Sequence, residues 1–285
     1  MTDTEILFKN FHKKNKEEVG IRIDTFLKEC FFPDFPNLRK LVSVLLIGSV
    51  AHGYHDTSSD IDIAFIFSTD TAVKQHKLSL LKWFKYRNLE SRRKPLELHG
   101  QHITSLETLE KELSSWRKDW LLRELHDAVV VYDPGEKVGK LQKKYSWYPR
   151  PIYNEKINWL FAETTFLLFQ RYTSGLARKN DFYLTHIKHN ILTLLMLAVI
   201  LVNHKFPSSH KHLYNDVRNS KIAPKDFLTA VGALLELRDR GKIYTRLQYL
   251  RKDVEILLIS RKLIKKESPS YWIGQRPKYK VSIDD

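Results

Sequence analysis

Hydrophobic and polar positions alternate in two different ways along this chain, and the change falls near its middle. In the first half, short apolar and β-branched runs predict four strands, at residues 41–47, 61–67, 96–103 and 128–132. Between these runs apolar residues recur every three or four positions, which predicts helices at residues 72–86 and 105–126. The first half therefore predicts an α+β fold in which helices flank a mixed β-sheet.

The second half has few strand patterns and long helical periodicities. Helices are predicted at residues 152–174, 181–203, 225–240 and 243–266. Asp181 is the predicted N-cap of the second of them. Two prolines in the segment 145–151 interrupt regular structure, so we place a domain boundary there. The predicted units are an α+β domain at 1–147, an all-α helical bundle at 148–267, and a tail at 268–285 that we expect along the surface.

Length and composition exclude several classes of protein. The chain has 285 residues, of which 42% are hydrophobic and 28% charged, as in an ordinary folded protein. Its longest uninterrupted apolar run, residues 194–202, is shorter than the roughly 18 residues that a membrane span requires. Cys30 is the single cysteine, so neither an internal disulfide nor a cysteine-rich zinc site can form. The first 16 residues are polar and lack a secretory pattern, and we therefore expect a cytoplasmic protein without a membrane partner.

The charge is strongly positive and unevenly spread. The net charge is +15, and most of the excess lies in residues 151–285. This half favours an anionic partner such as RNA or a nucleotide; a solvated basic helix surface is the alternative. The basic residues considered for RNA binding are Arg238, Arg240, Lys242, Arg246, Arg251, Lys252, Arg261 and Lys262, which are interspersed with tyrosines.

The segment 45–67 contains the candidate chemistry. An apolar strand leads into Gly48-Ser49, a short helix ends at Gly53, and a polar loop leads to a second strand. Gly48 permits close approach of the backbone to a ligand, and the N-terminus of the short helix offers N–H groups to phosphate oxygens. Ser49 adds a hydroxyl donor. We interpret His52, beside this turn, as exposed or facing an acceptor rather than as a metal ligand.

The second strand opens with two carboxylates. Asp60 and Asp62 are two positions apart and therefore share one face of the strand. Neighbouring carboxylates repel unless a cation holds them, and an all-oxygen set selects Mg²⁺, or Mn²⁺, over zinc. Two such ions need a third carboxylate. Glu97 is the candidate, as a metal ligand or as a general base toward a hydroxyl; otherwise it is an ordinary surface residue of a strand.

These residues resemble the signature of the DNA polymerase β-like nucleotidyltransferase superfamily, which is a strand, Gly-Ser, a short helix and an Asp-x-Asp strand. The matching positions are Gly48-Ser49, Gly53 and Ser59-Asp60-Ile61-Asp62. The resemblance implies a nucleotidyltransferase core that binds two Mg²⁺ ions and transfers a nucleoside monophosphate from an NTP to a hydroxyl, releasing pyrophosphate. It assigns two sets of residues: Asp60, Asp62 and Glu97 as catalytic, metal-binding carboxylates, and Gly48, Ser49 and Ser59 as nucleotide-binding residues.

Weaker similarity extends to the antibiotic adenylyltransferase-like branch, whose members modify aminoglycosides or lincosamides. Residues 125–141 resemble its late strand, in which a Tyr-Asp pair follows an apolar run, and 181–207 resemble its C-terminal helical domain, which closes over the nucleotide. This similarity implies that Lys188 contacts the triphosphate and that Asp181 positions nucleotide or acceptor. The residues alone also allow a solvated lysine and a simple N-cap.

Three functions follow as hypotheses. The first is transfer of a nucleotide, AMP from ATP, to a hydroxyl of a small antibiotic-type acceptor. The second is the same chemistry on RNA, such as tRNA, or on a protein side chain. The third is a nucleotide-binding module without catalysis.

Overall fold

The computed structural model describes residues 23, 25–53, 61–91 and 98–278 of the chain. The chain divides into two compact units. The first unit comprises Met1–Ser115 and Leu121–Ser146, and the second comprises Trp116–Trp120 and Trp147–Asp285.

The first unit is built on a four-stranded mixed sheet, which confirms the predicted α+β class. Its strands are β1 (Val42–Ile47), β2 (Ile61–Phe67), β3 (Leu98–Ser105) and β4 (Val129–Tyr132), in the spatial order β3-β2-β1-β4. β1 is antiparallel to both β2 and β4, and β2 is parallel to β3. Each predicted strand is present within about two residues of its predicted bounds, because β-branched runs of this length favour a buried, extended backbone.

Helices flank this sheet. They are α1 (Gly48–His52), α2 (Asp70–Ser91), α3 (Leu106–Ser114), α4 (Asp119–Asp127) and α5 (Lys137–Lys144). The prediction of one helix at 105–126 is wrong, because the segment forms two helices separated at residues 115–118. Trp116 in the gap has φ 55°, a left-handed conformation that a continuous right-handed helix excludes. Ser105 is the N-cap of α3 and accepts a hydrogen bond from the Thr108 N–H at 2.9 Å.

Aromatic residues form the core beneath the sheet. β1 is buried along its whole length. Phe31, from a helical turn at Phe26–Phe31 that precedes the sheet, contacts Phe65 of β2 with ring centroids 4.9 Å apart. Phe65 in turn contacts Phe84 of α2 at 5.3 Å. These contacts fix β2 between α2 and the N-terminal turn, and so position the start of β2.

Asp133, which follows Tyr132 at the end of β4, has a structural role here. Asp133 accepts a hydrogen bond from the Ser43 hydroxyl of β1 at 2.7 Å. Its other oxygen accepts from the N–H groups of Val138 and Gly139, both at 3.0 Å, at the start of α5. Asp133 therefore joins the sheet to α5 and satisfies N–H groups that a helix start leaves open.

The second unit is helical where the structure describes it beyond residue 147, as predicted. Its helices are α6 (Arg150–Phe166), α7 (Thr173–Ala177), α8 (Asp181–Val202), α9 (His210–Arg218), α10 (Phe227–Glu236), α11 (Arg240–Ser260) and α12 (Pro269–Gln275). A wider helical turn at Leu167–Tyr172 joins α6 to α7. The predicted N-cap of α8 is off by one residue: Asn180, not Asp181, accepts the hydrogen bond from the Tyr183 N–H, at 3.0 Å.

The helix α8 is the apolar centre of this unit. It is long and apolar enough to cross a membrane by length and composition, and 61% of its most apolar window is buried inside the protein. The core helix of a folded protein passes the same test. That the protein has no membrane partner stays a prediction.

A buried ion pair stabilises the second unit. The Lys156 ammonium lies 2.8 Å from a carboxylate oxygen of Asp119, and both side chains are almost fully buried. The Tyr148 hydroxyl donates to the same oxygen at 2.7 Å. Burial and the negative charge of Asp119 raise the pKa of Tyr148 well above its usual value. The phenol therefore remains a donor to the carboxylate.

Part of the segment expected along the surface is instead packed. Ser268 caps α12 by accepting from the Tyr271 N–H, at 3.2 Å. Trp272 of α12 is buried and makes an edge contact with Phe161 of α6 at 5.1 Å. The surface expectation is thus wrong for Trp272, whose large apolar ring is more stable in the core.

Candidate functional site

The turn between β1 and β2 forms the centre of the candidate site. Gly48 follows β1 directly and has φ +72°, in the left-handed region that favours glycine. It begins the five-residue helix α1, in which Ser49 is the second residue and half-buried. Gly53 ends α1 with φ 74°, and its N–H donates to the Val50 carbonyl at 3.2 Å. The two predicted glycines therefore lie at positions where backbone conformation requires them.

The side chain of Asp62 packs against Gly48. Asp62 is the second residue of β2 and pairs with Ile47, the last residue of β1. A Cβ atom at position 48 would lie 2.2 Å from Asp62 Oδ2 and about 3 Å from its Cγ and Cβ. The contact with Oδ2 is far inside van der Waals distance, so any side chain at position 48 would force the Asp62 carboxylate to shift. The structure thus brings together Gly48 and Asp62, two residues of the predicted site.

Three predicted site residues, Ser59, Asp60 and Glu97, lie outside the described residues. Two of them directly precede, in the sequence, a pair of residues that the structure describes. Ile61, the first residue of β2, pairs with Leu98, the first described residue of β3, and these strands are parallel. Asp60 and Glu97 are the residues that precede this pair in the sequence. Their roles stay predictions.

A charged cluster that the sequence analysis did not identify lies beside the same turn. His52, the last residue of α1, places one ring nitrogen 2.7 Å from Glu124 Oε1 and the other 2.9 Å from Asp127 Oδ2. The Gly48 N–H donates to the other oxygen of Glu124 at 3.3 Å. Arg123 also pairs with Asp127. The expectation that His52 is exposed is wrong, since its side chain is only 11% exposed and bridges two carboxylates of α4; that it faces an acceptor stays a prediction.

The hydrogen bonds and ion pairs within this cluster favour the charged forms of its side chains. Burial opposes the charge on His52, but its hydrogen bonds to Asp127 and Glu124 outweigh burial and raise the pKa of His52 to about 9. Burial likewise opposes ionisation of Asp127, yet hydrogen bonds with His126 and His52 and the charge of Arg123 hold its pKa well below the usual range. The pKa of Glu124 is also lowered, against burial, by His52. At neutral pH the cluster contains an imidazolium between two carboxylates.

This cluster changes the expected phosphate-binding turn. The sequence predicted free N–H groups at the start of the short helix, but the first of them, on Gly48, already donates to Glu124. Three residues missed by sequence reasoning, Arg123, Glu124 and Asp127, therefore shape the site together with His52, whose contacts with them were not predicted. The only local signal was the run of charged residues at 123–127, and nothing in it indicates contact with a turn more than 70 positions away.

Asp62 offers the kind of ligand that Mg²⁺ prefers. Its carboxylate lies at the start of β2, beside Gly48, which has no side chain. Carboxylate oxygens suit Mg²⁺ and Mn²⁺. Across residues 25–53, 61–91 and 98–278, no three His, Cys, Asp or Glu side chains are grouped as a metal site. A complete ligand set therefore requires carboxylates outside these ranges.

In the second unit, the structure places the other two predicted nucleotide-binding residues at one cavity. Asp181 and Lys188 lie seven positions apart on α8 and both line a cavity of about 550 Å³. Asp181 forms a two-pronged ion pair with Arg240 of α11. Lys188 is buried and donates to the Leu234 and Leu235 carbonyls at 3.2 and 3.4 Å, so it is not the solvated lysine of the alternative interpretation. Contact of either residue with a nucleotide stays a prediction.

One member of the proposed basic surface is wrongly placed. Arg251 is buried, lies 4.4 Å above the Phe161 ring, and donates to the Thr165 hydroxyl at 2.9 Å. It therefore stabilises the helical core rather than contacting RNA. Arg246 and Lys252, on the same helix α11, are exposed.

Comparisons with known proteins add a distant likeness. No family model and no curated protein matches the chain. Among solved structures, the chain is similar to the crystal structure of a nucleotidyltransferase-like protein from Exiguobacterium sibiricum 255-15, with 13% identity and a TM-score of 0.44. The match covers 87% of this chain and 76% of that chain. A likeness at this level does not define an activity.

Proposed function

We propose that this protein is a nucleotidyltransferase that transfers a nucleoside monophosphate, AMP from ATP, to a hydroxyl of a small-molecule acceptor. The observation that carries the proposal is the contact between Gly48 and the Asp62 carboxylate. A strand that ends in a left-handed glycine, a short helix, and an antiparallel strand that returns a carboxylate to that glycine together reproduce the arrangement implied by the sequence resemblance.

The roles of the carboxylates follow from this arrangement. In the proposal, Asp60, Asp62 and Glu97 hold two Mg²⁺ ions, or Mn²⁺, and the bound ions supply neutralisation of phosphate charge. Because Gly48 has no side chain, it does not cover the oxygens of Asp62. Glu97 is the alternative general base for the acceptor hydroxyl. Ser49 and Ser59 donate hydrogen bonds to the nucleotide, which is ATP or another NTP.

In the proposal, the cluster of His52, Glu124 and Asp127 positions the turn and takes no part in the reaction. The imidazolium joins the end of α1 to α4, while Glu124 accepts from the Gly48 N–H at the beginning of α1. Both ends of the short helix are thereby attached to one neighbouring helix. Such attachment orders a catalytic turn before substrate binds, which lowers the entropy lost on binding.

A second candidate acceptor is RNA. The observation that favours it is on α11, where the Tyr249 side chain is 64% exposed on a helix that also exposes Arg246 and Lys252. Aromatic rings that stack on bases and cations that contact phosphates are typical of single-stranded RNA surfaces. The chemistry at Asp62 would be unchanged; the acceptor would be a hydroxyl of an RNA such as tRNA.

The test is transfer of an α-labelled nucleotide. Each of the four NTPs is offered with Mg²⁺ to bulk tRNA, to the protein itself, and to a panel of aminoglycosides and lincosamides. We expect label on a small molecule, with ATP as the preferred donor. Label on tRNA would select the RNA alternative, and label on the protein would select a protein side chain.

Two isosteric substitutions provide the control. Asp62→Asn removes a carboxylate with little change in volume and should abolish transfer while the protein stays folded. Asp253→Asn alters an exposed aspartate of α11 and should leave transfer unchanged. Equal transfer by both variants would contradict the proposed role of Asp62. NTP binding without transfer to any acceptor, including water, would instead support the non-catalytic nucleotide-binding module.

A further inference from the structure

The cavity in the second unit has the size of a small-molecule site. Its volume is about 550 Å³, and ligand pockets typically measure roughly 300–1,000 Å³. One wall is a single face of α8, because residues three, four and seven positions apart share a helix face. The lining of that wall is Asp181, Leu184, Thr185 and Lys188. The remaining wall comes from Tyr172, residues 235–238 at the C-terminal end of α10 and just beyond it, and the first turn of α11.

The charges that line the cavity favour an anion. Its cations are Lys188, Arg238 and Arg240, and its carboxylates are Asp181 and Glu236. Arg240 donates two hydrogen bonds to Asp181, so these two charges neutralise each other. Neither Lys188 nor Arg238 forms an ion pair with any residue in the part of the chain that the structure describes. Two cations and one carboxylate, Glu236, therefore remain, and their net charge of +1 favours an anionic ligand.

Lys188 is the more informative of these two cations. Its side chain is buried, and burial lowers its pKa, as expected for an ammonium without a counter-ion. It donates two long hydrogen bonds to carbonyls at the C-terminal end of α10. An ammonium has three N–H donors, so one of them is not used by these bonds. A bound anion would offset the cost of burying the charge.

A smaller part of the lining surface is apolar. The side chains of Leu184, Leu237 and Ile243 and the buried ring of Tyr172 contribute to the wall. The ring of Tyr172 is stacked on Tyr244 with centroids 5.9 Å apart, which fixes its orientation. A fully hydrated inorganic ion would leave this surface unused. A molecule with both an apolar part and an anionic group fits it better.

We propose that this cavity binds a small organic molecule through a phosphate or carboxylate group held by Lys188 and Arg238. This inference concerns binding in the second unit alone; it rests on the proposed function only where the bound anion is the triphosphate of a nucleotide. The anionic group has two possible sources, a separate small molecule or the triphosphate of a nucleotide. A polycationic aminoglycoside is disfavoured as its ligand, because two cations of the site lack a protein counter-ion.

The experiment is isothermal titration calorimetry of the full chain with phenyl phosphate, which combines an aromatic ring with a phosphate. Phenol is the neutral comparison, and MgATP is titrated separately. We expect phenyl phosphate to bind and phenol to bind at least about tenfold more weakly, since the charge-assisted hydrogen bonds are lost.

Three variants locate the binding. Arg238→Gln changes an exposed residue, and Lys188→Met changes a buried one. Each substitution should weaken the binding of phenyl phosphate by about tenfold or more. Arg218→Gln alters an exposed arginine of α9 that does not line the cavity and should leave binding unchanged. If Lys188→Met does not fold, as circular dichroism would show, Arg238→Gln still decides the result.

The outcomes separate the possibilities. If the Arg238 and Lys188 variants also bind MgATP more weakly, the anionic group belongs to the nucleotide. If their affinity for MgATP is unchanged, it belongs to a separate small molecule. Absence of phenyl phosphate binding to the unmodified protein, or equal affinity in all variants, would overturn the proposal. Lys188 would then be only a cap for the carbonyls of α10.

Discussion

At the scale of single residues, the site depends on a missing side chain as much as on a carboxylate. Gly48 combines a positive φ with a contact that leaves no room for a Cβ atom beside Asp62. Two independent constraints, one of backbone conformation and one of packing, therefore act on the same residue. Among the described glycines, Gly139, Gly232, Gly241 and Gly274 are subject to neither.

Substitution of Gly48 tests both constraints. Gly48→Ala should lower the free energy of unfolding by at least about 1 kcal/mol, since alanine is strained at positive φ, and should abolish nucleotide transfer by displacing Asp62. The matched control is Gly232→Ala in α10, where a Cβ meets nothing within 4 Å. That change should be neutral or stabilise by roughly 0.5–1 kcal/mol. Urea denaturation and the transfer assay measure both effects; a stable, active Gly48→Ala protein would contradict the interpretation.

His52 should make stability depend on pH. Its pKa is about 9 in the folded protein and 6.5 in the unfolded chain. Because the folded value is the higher one, the imidazolium contributes fully below about pH 6.5, and the contribution is lost as pH rises through 9. At about 1.4 kcal/mol per pKa unit, the loss is on the order of 3 kcal/mol.

The measurement is the free energy of unfolding at pH 6.5 and at pH 9.5. Glu124 and Asp127, which contact His52, are both already ionised throughout this window. His52→Gln should remove most of the difference between the two pH values. The interpretation fails if the variant retains the full pH dependence.

At the scale of elements, the sequence patterns predicted what depends on local physics. The four strands were predictable because their residues are apolar and β-branched, and the helices of the second unit because their apolar periodicity is long. The single helix predicted at 105–126 was wrong because its apolar periodicity continues through the break at Trp116. The cap of α8 was misplaced because Asn180 and Asp181 are adjacent and both are good capping residues.

The candidate site was predictable only where its residues are close in sequence. Gly48, Gly53 and Asp62 lie in one segment, and their spacing was sufficient to identify the turn. Glu124 and Asp127 reach the same turn through the pairing of β1 with β4 and the packing of α4. Such contacts depend on tertiary structure, for which one sequence provides no periodic signal.

The cap of α8 can be tested with neighbouring substitutions. Asn180→Ala should destabilise the protein by about 1 kcal/mol, the usual effect of removing an N-cap side chain. Asp181→Ala removes an exposed ion pair with Arg240 and should cost between about 0 and 1 kcal/mol. Thermal or urea denaturation of both variants gives the order. A larger effect of Asp181→Ala would restore the cap predicted from the sequence.

At the scale of the whole molecule, the net charge of +15 distinguishes the acceptors by their response to salt. For an RNA acceptor, each lost phosphate contact lowers the slope of log affinity against log salt by about 0.7. A double variant, Arg246→Gln with Lys252→Gln, should therefore bind bulk tRNA with a slope reduced by about 1.4. A neutral small-molecule acceptor should show no such change. An unaltered slope for tRNA would exclude this face of α11 as the RNA surface.

The close packing of Gly48 against Asp62 also constrains how this protein can have diverged. A side chain at position 48 would displace the Asp62 carboxylate and would also be strained at positive φ, so we expect substitution at 48 mainly where position 62 has lost its carboxylate. If the proposed activity is present, remote homologues that retain it should keep both residues even where the surrounding sequence has diverged. A homologue with alanine at 48 and a small neutral residue at 62 should be recognised as one that has abandoned the chemistry and kept the fold.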